Sequence, residues 1–351
     1  MLFAGVGEAA VESPSHLGYT SRMTSLIQPV IIKTLEHFRS KQLHNQRVLT
    51  VFLPPDYESH PDQYYKVLYL NDGQDAPAIK LADTLAALIA HHEIEPIIVV
   101  ALHATRDRLH EYGTAGIPNA HGLGKKARKY TFFILDEVLP YINRRYRTLP
   151  GPINTAVMGS SLGGLMAFDL AWNHPDVFGA VGVFSGSFWW RTDDADTHTR
   201  QESRIMHRRV RDTESPGYLR LWFQAGTDDE QDDRDNNGVI DAIQDTTELM
   251  DELARKGFRR GIEMVYVQVE GGEHHQATWG LILPYFLRWT FPTQRYVQQH
   301  PFDGRDFISV TRKGREVSHP RGKTSKRDTQ SPRLLRVAAK KSRITQRRSR
   351  M

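Results

Sequence analysis

The sequence predicts an α/β fold with a mostly parallel central sheet and helices on both faces. Short, continuous apolar runs recur from residue 47 to residue 269, and strands buried on both faces read this way because neither side meets water. Helical patterns stand between most of these runs, as crossovers between parallel strands require. No internal repeat and no linker-rich stretch divides residues 31–300, so one large domain is expected there.

Residues 1–30 show little periodicity and read as a loose N-terminal arm. Residues 31–47 (IIKTLEHFRSKQLHNQR) mix strand-like and helical signals and stay unassigned. RVLTVFL at 47–53 is a strand, closed by Pro54-Pro55-Asp56-Tyr57, and YKVLYL at 65–70 is a buried strand ending at Asn71-Asp72-Gly73-Gln74. A helix is expected over 79–91, a core strand over 96–102 (PIIVVAL) and a long amphipathic helix over 127–147. Further strands fall at 155–158, 180–184, 219–224 and 264–269, the last of these ending the sheet. Helices are expected after residue 162, over 246–256 and over 281–291, and antiparallel pairing only among the N-terminal strands.

Composition excludes several chemistries. The 351 residues are 39% hydrophobic and 25% charged, which is ordinary for a soluble chain. There is no cysteine, hence no disulfide, thiolate metal site or cysteine nucleophile. The N-terminus has neither a basic n-region nor a long apolar core, so no signal peptide or membrane span is read and a cytoplasmic location is expected. The net charge of +5 belongs to one end. Residues 311–351 hold 15 of the 46 Lys and Arg but 2 of the 41 Asp and Glu, a balance of +13, which leaves −8 on the rest. The whole stretch 301–351 is read as a disordered, solvated tail, whose basic residues are able to touch nucleic acid or an anionic surface weakly by counterion release.

The centre of the chain is TAVMGSSLGGLMA at 155–167. Within it Gly159-Ser160-Ser161-Leu162-Gly163 fits G-x-S-x-G, entered by a strand and left by a helix, the context of a nucleophile elbow and of the α/β-hydrolase fold. A serine on so sharp a turn needs neighbours without side chains, which Gly159, Gly163 and Gly164 supply. Ser161 holds the central place, although chemistry alone does not separate it from Ser160. Its helix N-terminus offers the Leu162 N–H to an oxyanion. The fold then requires an acid and a histidine in that order. The strand at 219–224 runs into Ala225-Gly226-Thr227-Asp228-Asp229-Glu230. The G-x-x-D spacing selects Asp229, with Asp228 and then Glu230 as alternatives. The last strand leads to Glu270-Gly271-Gly272-Glu273-His274-His275, where a histidine can act as base and then acid.

Taken together, RVLTVFLPPDY, VLYLNDGQ, IIVVAL with Arg108-Leu109-His110-Glu111-Tyr112, GSSLGG, SGSFWW, AGTDD and GGEHHQATW resemble an esterase family of α/β hydrolases. Its members include enterochelin esterases, esterase D, feruloyl esterase domains and mycolyltransferases. The resemblance runs from about residue 47 to residue 291. It implies Ser161 as nucleophile, Asp229 as acid and His274 as base, because the spacing H-x-x-x-x-W places His274 five before Trp279. It also implies that the backbone N–H of Gln74 is the second oxyanion donor, and that Asp72 and Trp189 line the substrate pocket.

A serine esterase acting on a small-molecule ester, with no cofactor for its chemistry, is therefore expected. Acyl transfer to an alcohol at the same site and a catalytically silent binding scaffold are the alternatives. A calcium loop is a separate expectation. Asp233 to Asp241 (DRDNNGVID) matches the first nine positions of an EF-hand-type loop, with oxygens from Asp233, Asp235, Asn237, Val239 and Asp241 around a structural Ca²⁺. Position twelve departs from the pattern: it is Gln244, and the carboxylate of Asp245 comes one residue late. The same residues also make an ordinary Asx-rich turn.

Overall fold

The computed structural model describes residues 27–301, 304–305 and 307–317. The expected arm up to residue 26 and the basic tail beyond residue 317 lie outside the described residues. Among the described residues, nine strands form one sheet: β1 (Ile31–Ser40), β2 (Asn45–Leu53), β3 (Lys66–Asn71), β4 (Ile97–Leu102), β5 (Thr155–Ser160), β6 (Ala180–Phe184), β7 (Arg220–Asp228), β8 (Met264–Glu273) and β9 (Phe307–Thr311). Their order is β1-β2-β4-β3-β5-β6-β7-β8-β9. The pairs β1–β2 and β2–β4 are antiparallel, and every later pair is parallel. Antiparallel pairing is thus confined to the N-terminal strands.

The helices are α1 (Leu81–Ala90), α2 (Arg108–Glu111), α3 (Ala127–Phe132), α4 (Leu139–Arg145), α5 (Leu162–Asn173), α6 (Thr197–Glu202), α7 (Ile205–Asp212), α8 (Asp241–Arg255), α9 (Gln276–Thr290) and α10 (Gln294–Gln299). A wider π-helical segment, Phe133–Val138, joins α3 to α4. The long helix expected over 127–147 is therefore continuous but underwound in the middle.

Alternation along each strand sorts side chains into two cores. Ile98, Val100 and Leu102 of β4 join Val157, Val181 and Phe223 beneath α3, α5, α7 and α8. Ile97, Val99 and Ala101 join Leu68, Met158 and Val267 beneath α1 and α9. Every residue of β4 is buried, as its unbroken apolar text requires.

Two expectations change. The unassigned residues 31–47 are a strand and hairpin. Facing the sheet along one side only, β1 carries the mixed polarity of an edge strand. The domain also continues past residue 300, because β9 adds to β8 in parallel, pairing Tyr266 with Phe307 and Glu270 with Thr311. The strand at β8 is thus not the sheet's last, and the first part of the segment assigned to the tail is ordered. None of the helices among the described residues is long and apolar enough to cross a membrane.

Candidate active site

The turns that follow β3, β5, β6, β7 and β8 all leave the carboxyl edge of the sheet, where open α/β sheets place their sites. After β5 the chain bends at Ser161, which takes φ 57° and ψ −127° before α5 begins. A β-carbon at Gly159 would collide with the Gly163 carbonyl, and one at Gly163 would lie 2.6 Å from Asp72 Oδ2. Both positions therefore demand glycine for space. The Ser161 N–H donates to Phe184 O at 2.9 Å, tying the elbow to the end of β6. Ser161 Oγ lies 3.4 Å from Ser187 Oγ. The first N–H groups of α5, Leu162 among them, have no acceptor within their own helix.

Asp229 follows β7 with its carboxylate fully buried, and His274 follows β8 with its ring partly open to solvent. His274 Nδ1 stands 3.5 Å from Asp229 Oδ1. The carboxylate also accepts the Gly226 N–H at Oδ2 (3.2 Å) and the Ser185 hydroxyl at Oδ1 (3.0 Å). Of the three acids in this loop, Asp229 is the one that meets the imidazole. Asp228 is exposed and lies 3.7 Å from Arg312. Glu230 turns away toward Asp241, Asp245 and Asp232. Burial and these negative neighbours push its carboxyl up to about 7. His275 serves differently, capping α9 by accepting the Ala277 N–H at Nδ1 (3.1 Å).

Asp72 adopts the left-handed conformation at the end of β3, and the turn closes through Asp75 N–H to Asp72 O and Ala76 N–H to Gly73 O. Neither bond uses the Gln74 N–H. The Asp72 carboxylate is gripped by Arg108, Nε to Oδ1 at 2.7 Å and Nη2 to Oδ2 at 2.8 Å. Burial opposes the guanidinium's charge, yet the bonds and charge of Asp72 lift Arg108 above its ordinary value. The Gln74 amide donates to Asp72 Oδ1 at 3.2 Å and accepts the Ala104 N–H at 2.9 Å. Asn71 reaches across to Gly163 O at 2.9 Å, which sets this turn against the start of α5. The run from Arg108 to Tyr112 is thereby accounted for. Arg108 holds Asp72, Glu111 pairs with the buried Arg47 at 2.6 Å, and the Tyr112 hydroxyl accepts the Asp72 N–H at 3.0 Å. Trp189 is half-buried against Trp190, two residues beyond Ser187.

The loop at 233–241 uses its oxygens internally. Asp233 accepts the N–H groups of Asn237 and Gly238, Asn237 Oδ1 accepts that of Val239, and Asp235 accepts the Gln244 amide. Asp241 Oδ1 accepts the Arg234 N–H at 3.0 Å and lies 3.1 Å from its guanidinium. Among the described residues the group of ligand type that gathers within 4.8 Å is instead His207, Asp245 and Glu248. Its carboxylates are taken by two guanidinium groups, with Arg204 and Arg234 2.5 Å and 2.8 Å from Asp245 Oδ1.

A family model described as "Putative esterase" matches residues 40–290. The chain belongs to this Esterase family. As an esterase it is a carboxylic ester hydrolase with the α/β-hydrolase fold. The uncharacterized protein YjcH of Bacillus subtilis is 23% identical over 222 residues, covering 62% of this esterase and 82% of that protein. Among solved structures, a ferulic acid esterase superposes with a TM-score of 0.56 at 22% identity, covering 75% of this chain and 97% of that one. The enterobactin esterase of Shigella flexneri also superposes, with a TM-score of 0.56 at 20% identity and coverage of 75% and 59%.

Sequence reasoning gave no role to Ser185, Ser187 or Arg108, although all three stand in quoted motifs. The doubled serine of Ser185-Gly186-Ser187, placed directly after an apolar strand at the carboxyl edge, was the available signal.

Proposed function

We propose that this esterase hydrolyses its ester through an acyl-enzyme on Ser161, with His274 as base and Asp229 as the acid that orients it. The observation that carries this reading is the 3.5 Å approach of His274 Nδ1 to the buried Asp229 carboxylate, at the same sheet edge as a serine held at positive φ. Ser161 Oγ attacks the ester carbonyl carbon while His274 Nε2 takes its proton. The carbonyl oxygen becomes an oxyanion held by the N–H groups of Leu162 and Gln74, each worth about 3 kcal/mol in such sites. His274 then gives the proton to the leaving alkoxide, so the alcohol departs and the acyl group stays on Ser161. Water, activated by the same imidazole, releases the acid and regenerates the hydroxyl.

Asp72 belongs to the frame of this site, since both its oxygens are committed to Arg108. Trp189 is assigned to the pocket wall beside the elbow. The substrates are small esters, and esters of ferulic acid and of N-(dihydroxybenzoyl) amino acids, the compounds named with the ferulic acid and enterobactin esterases, set the first panel to assay. The test is a burst experiment with p-nitrophenyl acetate and butyrate. Wild type should release nitrophenol in a stoichiometric burst, and Ser161→Ala should abolish both burst and turnover while Ser160→Ala keeps most of each. Equal loss from the two alanine changes would remove Ser161 from its role.

A further inference from the structure

Two serines, not one, sit at positive φ where neighbouring parallel strands end. Ser161 follows β5 at φ 57° and Ser185 follows β6 at φ 47°. The register pairs Ser160 with Phe184, so the two turns lie side by side. A non-glycine residue in this conformation persists only where its surroundings over-determine it. Around the buried Ser185 those surroundings are explicit. Its N–H donates to Gln224 O at 2.8 Å. Its Oγ lies 2.9 Å from Trp279 Nε1, 3.0 Å from Asp229 Oδ1 and 3.4 Å from Gln224 Oε1.

The polarity of this chain of bonds is forced. An indole N–H is a donor only, so Trp279 takes a lone pair of Ser185 Oγ. The single hydroxyl proton must then go to an acceptor, and Asp229 Oδ1 is the nearer one. That same oxygen faces His274 Nδ1. The Trp279 ring meanwhile packs edge-on against the His274 ring, with centroids 5.3 Å apart at 82°. One tryptophan therefore touches the acid through a hydroxyl and the base through its ring.

We propose that Ser185 and Trp279 are positioning residues for the acid–base pair, the indole fixing the Ser185 hydroxyl and the hydroxyl holding the Asp229 carboxylate aimed at His274. This rests on the assignment of Asp229 and His274 above and extends it to two residues that transfer no proton themselves. A hydrogen bond donated to a carboxylate favours its ionised form and fixes the direction of its lone pairs. Charged groups at this rim include Asp228 and Glu273, both facing Arg312, and the Asp72–Arg108 pair, and the buried Tyr266 phenol of β8 feels the Asp229 charge.

The experiment compares Ser185→Gly, Trp279→Phe, the double variant and Ser161→Ala in p-nitrophenyl butyrate hydrolysis across pH, with rates normalised to active sites titrated by a fluorophosphonate, and to protein concentration for Ser161→Ala. Glycine removes the hydroxyl and suits the backbone at φ 47°. Phenylalanine keeps the ring and loses the N–H. Ser185→Gly should lower kcat about 10- to 100-fold, as for one lost hydrogen bond to a charged group, with KM little changed. The acid limb of its kcat/KM profile should move to higher pH, because the carboxylate then turns its whole charge to the imidazole. Trp279→Phe should move the same limb in the same direction with a smaller loss, since the freed hydroxyl can rotate to Gln224. The double variant should lose no more than Ser185→Gly alone, the non-additivity of residues acting in series. Wild-type kcat and an unmoved acid limb in both single variants, with Ser161→Ala inactive, would overturn this proposal alone. Full activity in Ser161→Ala would overturn the site assignment and this proposal with it.

Discussion

Arg108 clamps Asp72 in a two-point grip, and the clamped carboxylate fills the space that a side chain at Gly163 would need. A fork-to-fork pair of this kind fixes direction as well as distance. The arginine, which lies at the start of α2, thus sets how closely the turn at Gln74 approaches the first residues of α5. Both proposed oxyanion donors depend on that separation.

Arg108→Ala is accordingly expected to lower kcat by up to about 100-fold through a small displacement of the turn, with less change in KM. Arg108→Lys keeps a charge but not the fork, and should recover only part of the rate. Steady-state kinetics on p-nitrophenyl butyrate, beside a melting curve, check this. A fall in melting temperature with kcat intact would make the clamp purely architectural.

Adjacent histidines with different partners should separate cleanly. His274→Ala removes the group facing Asp229, and its kcat should fall on the order of 10⁴-fold or more. His275→Ala removes the cap on α9, which should cost about 1 kcal/mol of stability and leave kcat near wild type. Rates and denaturant unfolding of the two variants decide the matter. A large kcat loss in His275→Ala would exchange their roles.

The fold was legible where burial dictates text. Strands β3 to β8 are apolar runs because both faces of the sheet are covered, and the elbow shows because Gly159 and Gly163 have no steric alternative. The edges were not legible. In β1, Ile31, Ile32, Leu35 and Phe38 are spaced between the strand and helix periods, and pairing with β2 settles the question. The five residues of β9 (FISVT) carry strand-favouring side chains, but the run is short and its place in the sheet depends on the open edge of β8. At the site, residue types and chain order pointed to Ser161, Asp229 and either histidine. The bonds of Ser185 to Trp279, 94 residues away in sequence, and of Arg108 to Asp72 are three-dimensional facts without a local signature.

Glu230 gives the loop after β7 a pH dependence of definite sign. Its folded carboxyl is held up to about 7, against an ordinary value of 4.5, by burial and the charges of Asp241, Asp245 and Asp232. The folded state therefore binds this proton more tightly than the unfolded state, so the group's contribution is favourable below its ordinary range and is lost as pH rises through about 7. Glu230→Gln should raise the melting temperature at alkaline pH and change it little in mild acid. Thermal melts of both proteins across that window test the sign, and a difference that shrinks as pH rises would reverse it.

The text of the loop at 233–241 suits either a Ca²⁺ site or an ordinary Asx-rich turn, and its hydrogen bonds favour the turn. An ion there would need oxygens from Asp233, Asp235, Asn237 and Asp241 to converge. Each of these side chains instead accepts N–H groups of the loop or of Gln244, and the Arg234 guanidinium stands at the Asp241 carboxylate. A cation would have to displace that guanidinium, which also lies 2.8 Å from Asp245 and anchors the loop to α8. Calorimetric titration with Ca²⁺ is expected to give no saturable heat, and EDTA to leave both activity and melting temperature unchanged. A saturable heat that disappears in Asp235→Ala, accompanied by a calcium-dependent rise in melting temperature, would instead assign these oxygens to the ion and make Arg234 a group that moves aside on binding.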